Sequence, residues 1–318
     1  MAKLCHNDTM TLPPLILITF IFQLISPSPL LAQPNTQGLT IIPPRFELQA
    51  NPGDNLSETI KLRNDTDLPV SYEVIVEDFT SSGEEGGVYL EEGESDQAFS
   101  LAQWLTPAVD EIVLQPRQEQ TFRYTITVPK AAEPGGHYAS VLFVTTPEVA
   151  QPGAANVATR IGALVLLRIS GNVTETAKIE TFSAPAYLKS GPVPLTLRVQ
   201  NQGNVHVQPK GTIIITDLFG RKVDEVPLRN ANVLPSAIRK TETTWDKVNL
   251  LGRYTATLVA TYGQQNLPLT AATRFTVASP TAVILLVVAG LALLFFVISL
   301  FSGRSRLRQA LKTFVTGK

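Results

Sequence analysis

Three observations predict an all-β chain: two tandem β-sandwiches followed by one C-terminal transmembrane α-helix. Short runs of alternating apolar and polar residues fill residues 40–277, a strand–turn–strand pattern occurs twice in the same order, and one uncharged apolar run, Thr281 to Phe301, follows. Alternation of period two puts successive side chains on opposite faces of a half-buried strand, whereas a helix would repeat at about 3.6 residues.

The N-terminus reads as an export signal over residues 1–32. Lys3 precedes the apolar stretch Leu15 to Ile25, and small Ala32 ends a Pro/Ser-rich segment at the expected cleavage position. An uncleaved signal anchor is the competing reading, and either one exports the chain from residue 33. Of 26 Lys and Arg, Lys3 and the tail cations lie outside residues 33–280, and of 27 Asp and Glu only Asp8 does, so the exported part carries about −6. That sign argues against nucleic acid or anionic lipid as its ligand. The one cysteine, Cys5, belongs to the signal, so the exported part holds no disulfide and relies on packed cores.

Residues 33–171 are expected to form the first sandwich. Ile60 and Leu62 alternate with Thr59, Lys61 and Arg63, and Phe122, Tyr124, Ile126 and Val128 alternate with Arg123, Thr125 and Thr127. Asn51-Pro52-Gly53-Asp54 and Glu133-Pro134-Gly135-Gly136 supply the Pro and Gly that tight turns require. Residues 172–279 repeat the plan. The segment Thr59 to Val70, centred on Asn64, is echoed by Thr196 to Val207, centred on Asn201, and Gly136-His137-Tyr138 is echoed by Gly252-Arg253-Tyr254. With about seven strands in each half, the spacing suits sandwiches of immunoglobulin type. Tyr138 and Tyr254 are expected to turn their rings inward and bond their hydroxyls near a corner.

The halves differ at an acidic, Gly-rich loop over residues 80–100. Glu84, Glu85, Glu91 and Glu92, with Trp104 just beyond, are the candidate partner-binding residues, because long loops on compact domains often carry function; the competing reading is a solvated acidic loop with Trp104 buried in the sandwich. Their spacing fits no calcium loop of the EF-hand type. His137 and His206 are the histidines left after export, and they fall on different halves without a nucleophile motif or a metal-spaced cluster. No enzyme, metal or cofactor is therefore expected.

Residues 281–301 would make a helix of ~31 Å, which matches a bilayer core. The basic tail, residues 302–318, carries Arg304, Arg306, Arg308 and Lys312 without an acidic residue and sets the C-terminus on the cytoplasmic side. Leu307, Ala310, Leu311, Phe314 and Val315 recur at helical spacing, so the tail reads as a surface-lying helix or as a disordered segment. Leu267-Pro268-Leu269-Thr270-Ala271 looks like a wall-sorting signal, but it lies inside the last expected strand.

Pro52-Gly53-Asp54, Ile60 to Val70, Glu77-Asp78-Phe79-Thr80, Trp104 and Val128 to Tyr138 together resemble the first domain of the WxL-interacting proteins. The resemblance covers roughly residues 40–170. It implies a bacterial surface protein with two immunoglobulin-like domains, one span and a basic tail, the first domain associated with peptidoglycan and the second with host or partner proteins. The leading expectation is thus a membrane-anchored surface adhesion or scaffold protein contacting cell-wall polymer or surface proteins. A chaperone for surface-fibre assembly, which Glu133 to Tyr138 also resembles, and a non-catalytic accessory subunit of an envelope enzyme are the alternatives.

Overall fold

The computed structural model describes residues 38–91, 98–145, 159–248 and 250–316. The expected signal (1–32), Glu92 and Lys318 lie outside the described residues, as do the side chains of Arg304, Arg306, Arg308 and Lys312. In chain order the first half forms β1 (Leu39–Ile42), β2 (Arg45–Ala50), β3 (Asn55–Asn64), β4 (Val70–Ser82), β5 (Gly87–Glu91), β6 (Leu105–Pro107), β7 (Glu111–Leu114), β8 (Glu119–Thr127), β9 (Gly135–Thr145) and β10 (Arg160–Ile169). One sheet runs β1-β3-β8-β6 and the other β2-β10-β9-β4-β5, with β7 beside β4. Pro43-Pro44 cannot donate to a ladder, and there the chain leaves the first sheet and enters the second.

The inner faces are those the alternation implies. Ile60, Leu62, Phe122, Tyr124 and Ile126 are buried while Lys61, Arg63, Arg123 and Thr125 are exposed. Each fully buried aliphatic side chain contributes about 1.5–3 kcal/mol. β9 departs from alternation and is buried on both faces. Its inner face, with Val141 and Phe143, joins the main core, and its outer face places Tyr138 in a second cluster with Phe79 and Leu166, against which Leu234 of the other sandwich packs.

The second half adds β11 (Ala177–Ser183), β12 (Tyr187–Leu188), β13 (Val193–Asn201), β14 (Lys210–Thr216), β15 (Lys222–Pro227), β16 (Ile238–Trp245), β17 (Gly252–Tyr262) and β18 (Leu267–Val277). The sheets run β11-β13-β16 and β12-β18-β17-β14-β15. Trp245, Tyr254 and Phe275 pack as an aromatic trio, and the indole N–H of Trp245 donates to Asp224 at 2.8 Å. Apart from one α-helix and a short 3-10 turn at Ala102–Trp104, the described residues are all-β, arranged as two sandwiches.

The internal repeat has a physical basis. Asn64 is fully buried, donates to Leu68 O (2.8 Å) and Leu114 O (3.1 Å), and accepts from Thr66 N (2.9 Å). Asn201 is also fully buried, donates to Val205 O (2.7 Å) and Val233 O (2.9 Å), and accepts from Gly203 N (2.9 Å). One short amide thus satisfies three backbone groups in each turn, which an apolar residue there would leave unpaired.

The acidic stretch departs from the expected loop over residues 80–100. β4 continues to Ser82 and β5 pairs back on it from Gly87, so Gly83 to Gly86 form the turn of a hairpin. Gly83 and Gly86 hold positive φ there. Beyond β18, helix α1 (Pro280–Thr316) runs on through the basic tail as one element. Among the described residues no helix is long and apolar enough to cross a membrane. The described side chains of α1 run unbroken only from Val283 to Ser299, all of them exposed.

Candidate functional site

The expected partner-binding residues do not share one surface. Glu84 and Glu85, at the tip of the β4–β5 hairpin, lie against the second sandwich. The Glu84 carboxylate receives both Nε (2.7 Å) and Nη2 of Arg198 from β13, and its carbonyl accepts the Lys240 N–H at 2.8 Å. Glu85 pairs with Lys240 Nζ at 3.1 Å. The hydrogen bonds from Arg198 hold the Glu84 carboxyl below the usual carboxylate range. Glu91 accepts from Thr80 within its own hairpin at 3.3 Å. Trp104 is half-buried, packs on the first core, and sets its ring 4.4 Å from that of His137. The buried Asp78 carboxylate holds this segment by accepting from Leu101 N (2.8 Å), Ala102 N (2.7 Å) and Ser100 Oγ (2.5 Å).

A second seam joins the sandwiches around Tyr138. Its hydroxyl accepts the His206 backbone N–H at 2.7 Å and faces His206 Nδ1 at 3.3 Å. Gly136 N donates to Asn204 O at 2.8 Å, and the Asn204 side chain donates to Pro134 O at 3.0 Å. Both glycines of the Glu-Pro-Gly-Gly turn serve this approach. Gly135 has φ +141° and a Cβ on it would stand 2.8 Å from Asn204 O, while a Cβ on Gly136 would stand 2.0 Å from the Tyr138 hydroxyl. Burial pushes the His206 imidazole down to about 4, so it is neutral near pH 7.

Hairpin and seam enclose a cleft of about 400 Å³. Its apolar wall includes Phe79, Val88, Leu164, Leu166 and Leu234, and its polar wall gathers Arg45, Arg229, Arg239 and Lys240 beside Glu85 and Glu242. Arg45 is matched by Glu47 at 3.1 Å and Lys240 by Glu242 at 2.9 Å. Arg239 differs, because its Nε is buried and meets no hydrogen-bond partner. Burial, then the like charge of Arg229 and of Arg45, push this guanidinium below its usual value, with Glu85 opposing. The Gly86 backbone lies against it, where a Cβ would stand 1.2 Å from Nη1.

Arg45, Arg229, Arg239 and Lys240, with the buried unpaired Nε of Arg239, offer donors of the kind that carboxylate and phosphate oxygens accept. Sequence reasoning missed these residues because Arg45 and Arg239 belong to different sandwiches and no local motif marks either. Among the described residues no group of three or more His, Cys, Asp or Glu stands close enough to hold a metal ion. His137 is engaged in packing, its ring nitrogens 2.9 Å from Ser100 O and 3.0 Å from Glu133 O.

No family model matches the sequence, and no curated protein matches it. Solved structures similar to the fold include a chain of a chaperone–tip adhesin complex of CFA/I fimbriae biogenesis, with 13% identity, 76% of this chain and 99% of that chain covered, and a TM-score of 0.39. The YadV chaperone gives 14% identity, 75% and 100% coverage and a TM-score of 0.37. The CupB2 chaperone of Pseudomonas aeruginosa gives 11% identity, 75% and 100% coverage and a TM-score of 0.34. With TM-scores below 0.5, these likenesses carry no argument about what this chain binds.

Proposed function

We propose that the chain is a membrane-anchored, non-catalytic binding protein of the bacterial cell surface whose inter-sandwich cleft takes an anionic group of a cell-wall polymer or surface protein. The observation that carries this reading is Arg239, with its buried, unpartnered Nε beside Arg229 and Arg45. A buried donor left unpaired costs about 1–3 kcal/mol, and an anionic ligand would supply the missing acceptor. Binding fits better than catalysis because both exported histidines are used in packing, His137 between two carbonyls and His206 against Tyr138. The role accords with what the resemblance to WxL-interacting proteins implies.

Anchorage is read from the sequence, whose apolar run is longer than the described side chains of α1. Thr281 to Phe301 is apolar on every side, and such a helix has no polar face to offer water. The basic residues after it orient the tail to the cytoplasm. Alkaline carbonate extraction of cell membranes tests this part, and release of the intact chain into the supernatant would refute it. For the ligand, the full chain in detergent is titrated with purified wall fragments before and after chemical masking of their carboxylates and phosphates. Retention lost on masking, and weakened about tenfold by Arg229→Gln with Arg239→Gln, is expected. Retention indifferent to both would overturn the cleft reading.

A second reading, a chaperone for surface-fibre assembly, is favoured by one edge. β2 pairs with β10 only from Leu164 onward, so among the described residues the first part of β10 has a strand neighbour on one side alone. Such an edge suits strand addition by an extended partner segment. Co-purification of a β-rich subunit that is lost when Ile161 is changed to Pro would support it.

A further inference from the structure

The second sandwich has two unlike ends. Asn204, His206 and Gln264 lie at the end that meets the first sandwich, with Gln264 Nε2 3.4 Å from Gln49 Oε1. β17 runs away from that end for 11 residues in reverse, to Gly252. At ~3.4 Å per residue the two ends are ~35 Å apart. Register identifies what shares the far end: Gly252 pairs with Val277, Thr216 of β14 sits opposite Thr255, and Tyr187 pairs with Thr276. The chain leaves for α1 there, since Val277 and Pro280 are three residues apart and span at most ~10 Å.

Large apolar side chains stand exposed at this same end. Leu218 (68%) and Phe219 (79%) form the tip between β14 and β15, Val248 (53%) and Leu251 (50%) belong to the connection between β16 and β17, and Tyr187 (53%) bonds Ala278 O at 2.6 Å. Arg221 lies over the Phe219 ring at 5.3 Å. At the tip itself the cations are matched by acids, Arg221 by Asp217 at 2.7 Å and Lys247 by Asp224 at 3.2 Å, while Lys189 and Arg253 stand exposed at the same end.

We propose that this end of the second sandwich is a membrane-contact platform, with Leu218 and Phe219 inserted at the headgroup–acyl boundary of the bilayer that α1 enters. This rests on the anchorage reading above. Once α1 spans, the two-residue connection, Ala278 and Ser279, holds the far end of the sandwich within ~10 Å of the headgroups, and apolar side chains there meet the interface instead of water. An aromatic ring capped by a guanidinium suits that boundary, apolar below and polar above. The platform would hold the cleft on the remote side of the second sandwich, facing the wall.

The test uses the full chain in nanodiscs of phosphatidylethanolamine and phosphatidylglycerol, with Cys5→Ser removing the native thiol. An environment-sensitive fluorophore is attached at Phe219→Cys or, as control, at Leu68→Cys on the first sandwich, which is comparably exposed at 70%. Brominated lipid is expected to quench the Phe219 site at least about twofold more than the Leu68 site, with no dependence on salt. Co-elution with the disc reports anchorage separately. A chain that elutes free of discs overturns both readings, and one that co-elutes with equal quenching at the two sites overturns the platform alone.

Discussion

The seam at Tyr138 should be acid-labile, and His206 sets the pH at which it fails. Burial dominates the environment of its imidazole, with Glu47 and Glu175 favouring the charged form and Arg168 and Arg45 opposing it. The folded chain therefore protonates His206 only near pH 4, whereas in the unfolded chain the ordinary value is 6.5. Because the unfolded state binds the proton first, the stability from keeping His206 neutral is fully present above about pH 6.5 and is lost as pH falls toward about 4. At about 1.4 kcal/mol per pH unit the loss reaches about 3 kcal/mol. Urea unfolding of the detergent-solubilised full chain, followed by the fluorescence of Trp104 and Trp245, measures it in the wild type and in His206→Gln. The carboxylates titrate in both proteins, so the difference between them isolates His206. Between pH 7.5 and 4.5 the wild type should lose about 2–3 kcal/mol more than the variant. Equal losses would show that the imidazole is not buried at this seam.

Three further outcomes follow from the other contacts. Arg239→Met removes a buried guanidinium with no partner at Nε, and should raise the thermal midpoint by about 2–4 °C while weakening anion binding; a lowered midpoint would show that the charge is satisfied in solution. Glu84→Gln exchanges a charged for a neutral acceptor at the half-exposed pair with Arg198, so hydrogen exchange across Gly83 to Gly87 should speed up while that of β9 stays unchanged. Asp78→Ala strands a buried backbone donor at Leu101 and a part-buried one at Ala102, and should cost about 3 kcal/mol in urea unfolding and loosen Trp104; a cost below about 1 kcal/mol would mean that water replaces the carboxylate.

Where one face is dry and the other wet, the fold was legible. β3, β8 and β13 alternate because their sheets have one face inward, and Asn64 and Asn201 could be paired from sequence because each answers the same backbone demand in its turn. β9 was only partly legible, since its second face is covered by an element that no local pattern can reveal. The pattern around Tyr138 implies a ring turned inward with its hydroxyl near a corner; the ring is buried, yet the hydroxyl crosses to the second sandwich. The β4–β5 hairpin was hidden for a different reason. Gly and Glu have little preference for strands, and this turn is held by ladder pairing and by Arg198 and Lys240 on the other sandwich. Arg45, Arg229 and Arg239 could not be grouped at all, because long-range packing alone brings them together.

The charge distribution explains why a cleft of this kind can work on a chain that is acidic overall across residues 33–280. The hairpin spends Glu84 on Arg198 and Glu85 on Lys240, and both anions lie at the rim, where solvent and salt weaken them. Arg239 has its Nε buried and lies against the Gly86 backbone, where water cannot screen it as well. On the proposed reading, the surrounding surface repels anions at long range while the cleft attracts them at contact. Discrimination should follow from that arrangement: a small free anion gains little on approach, whereas a tethered one that also lays an apolar segment on Phe79, Val88 and Leu164 gains both terms at once. Inorganic phosphate should consequently bind far more weakly than a wall fragment or peptide carrying the same group. Equal affinities in isothermal titration would show that the apolar wall takes no part in recognition.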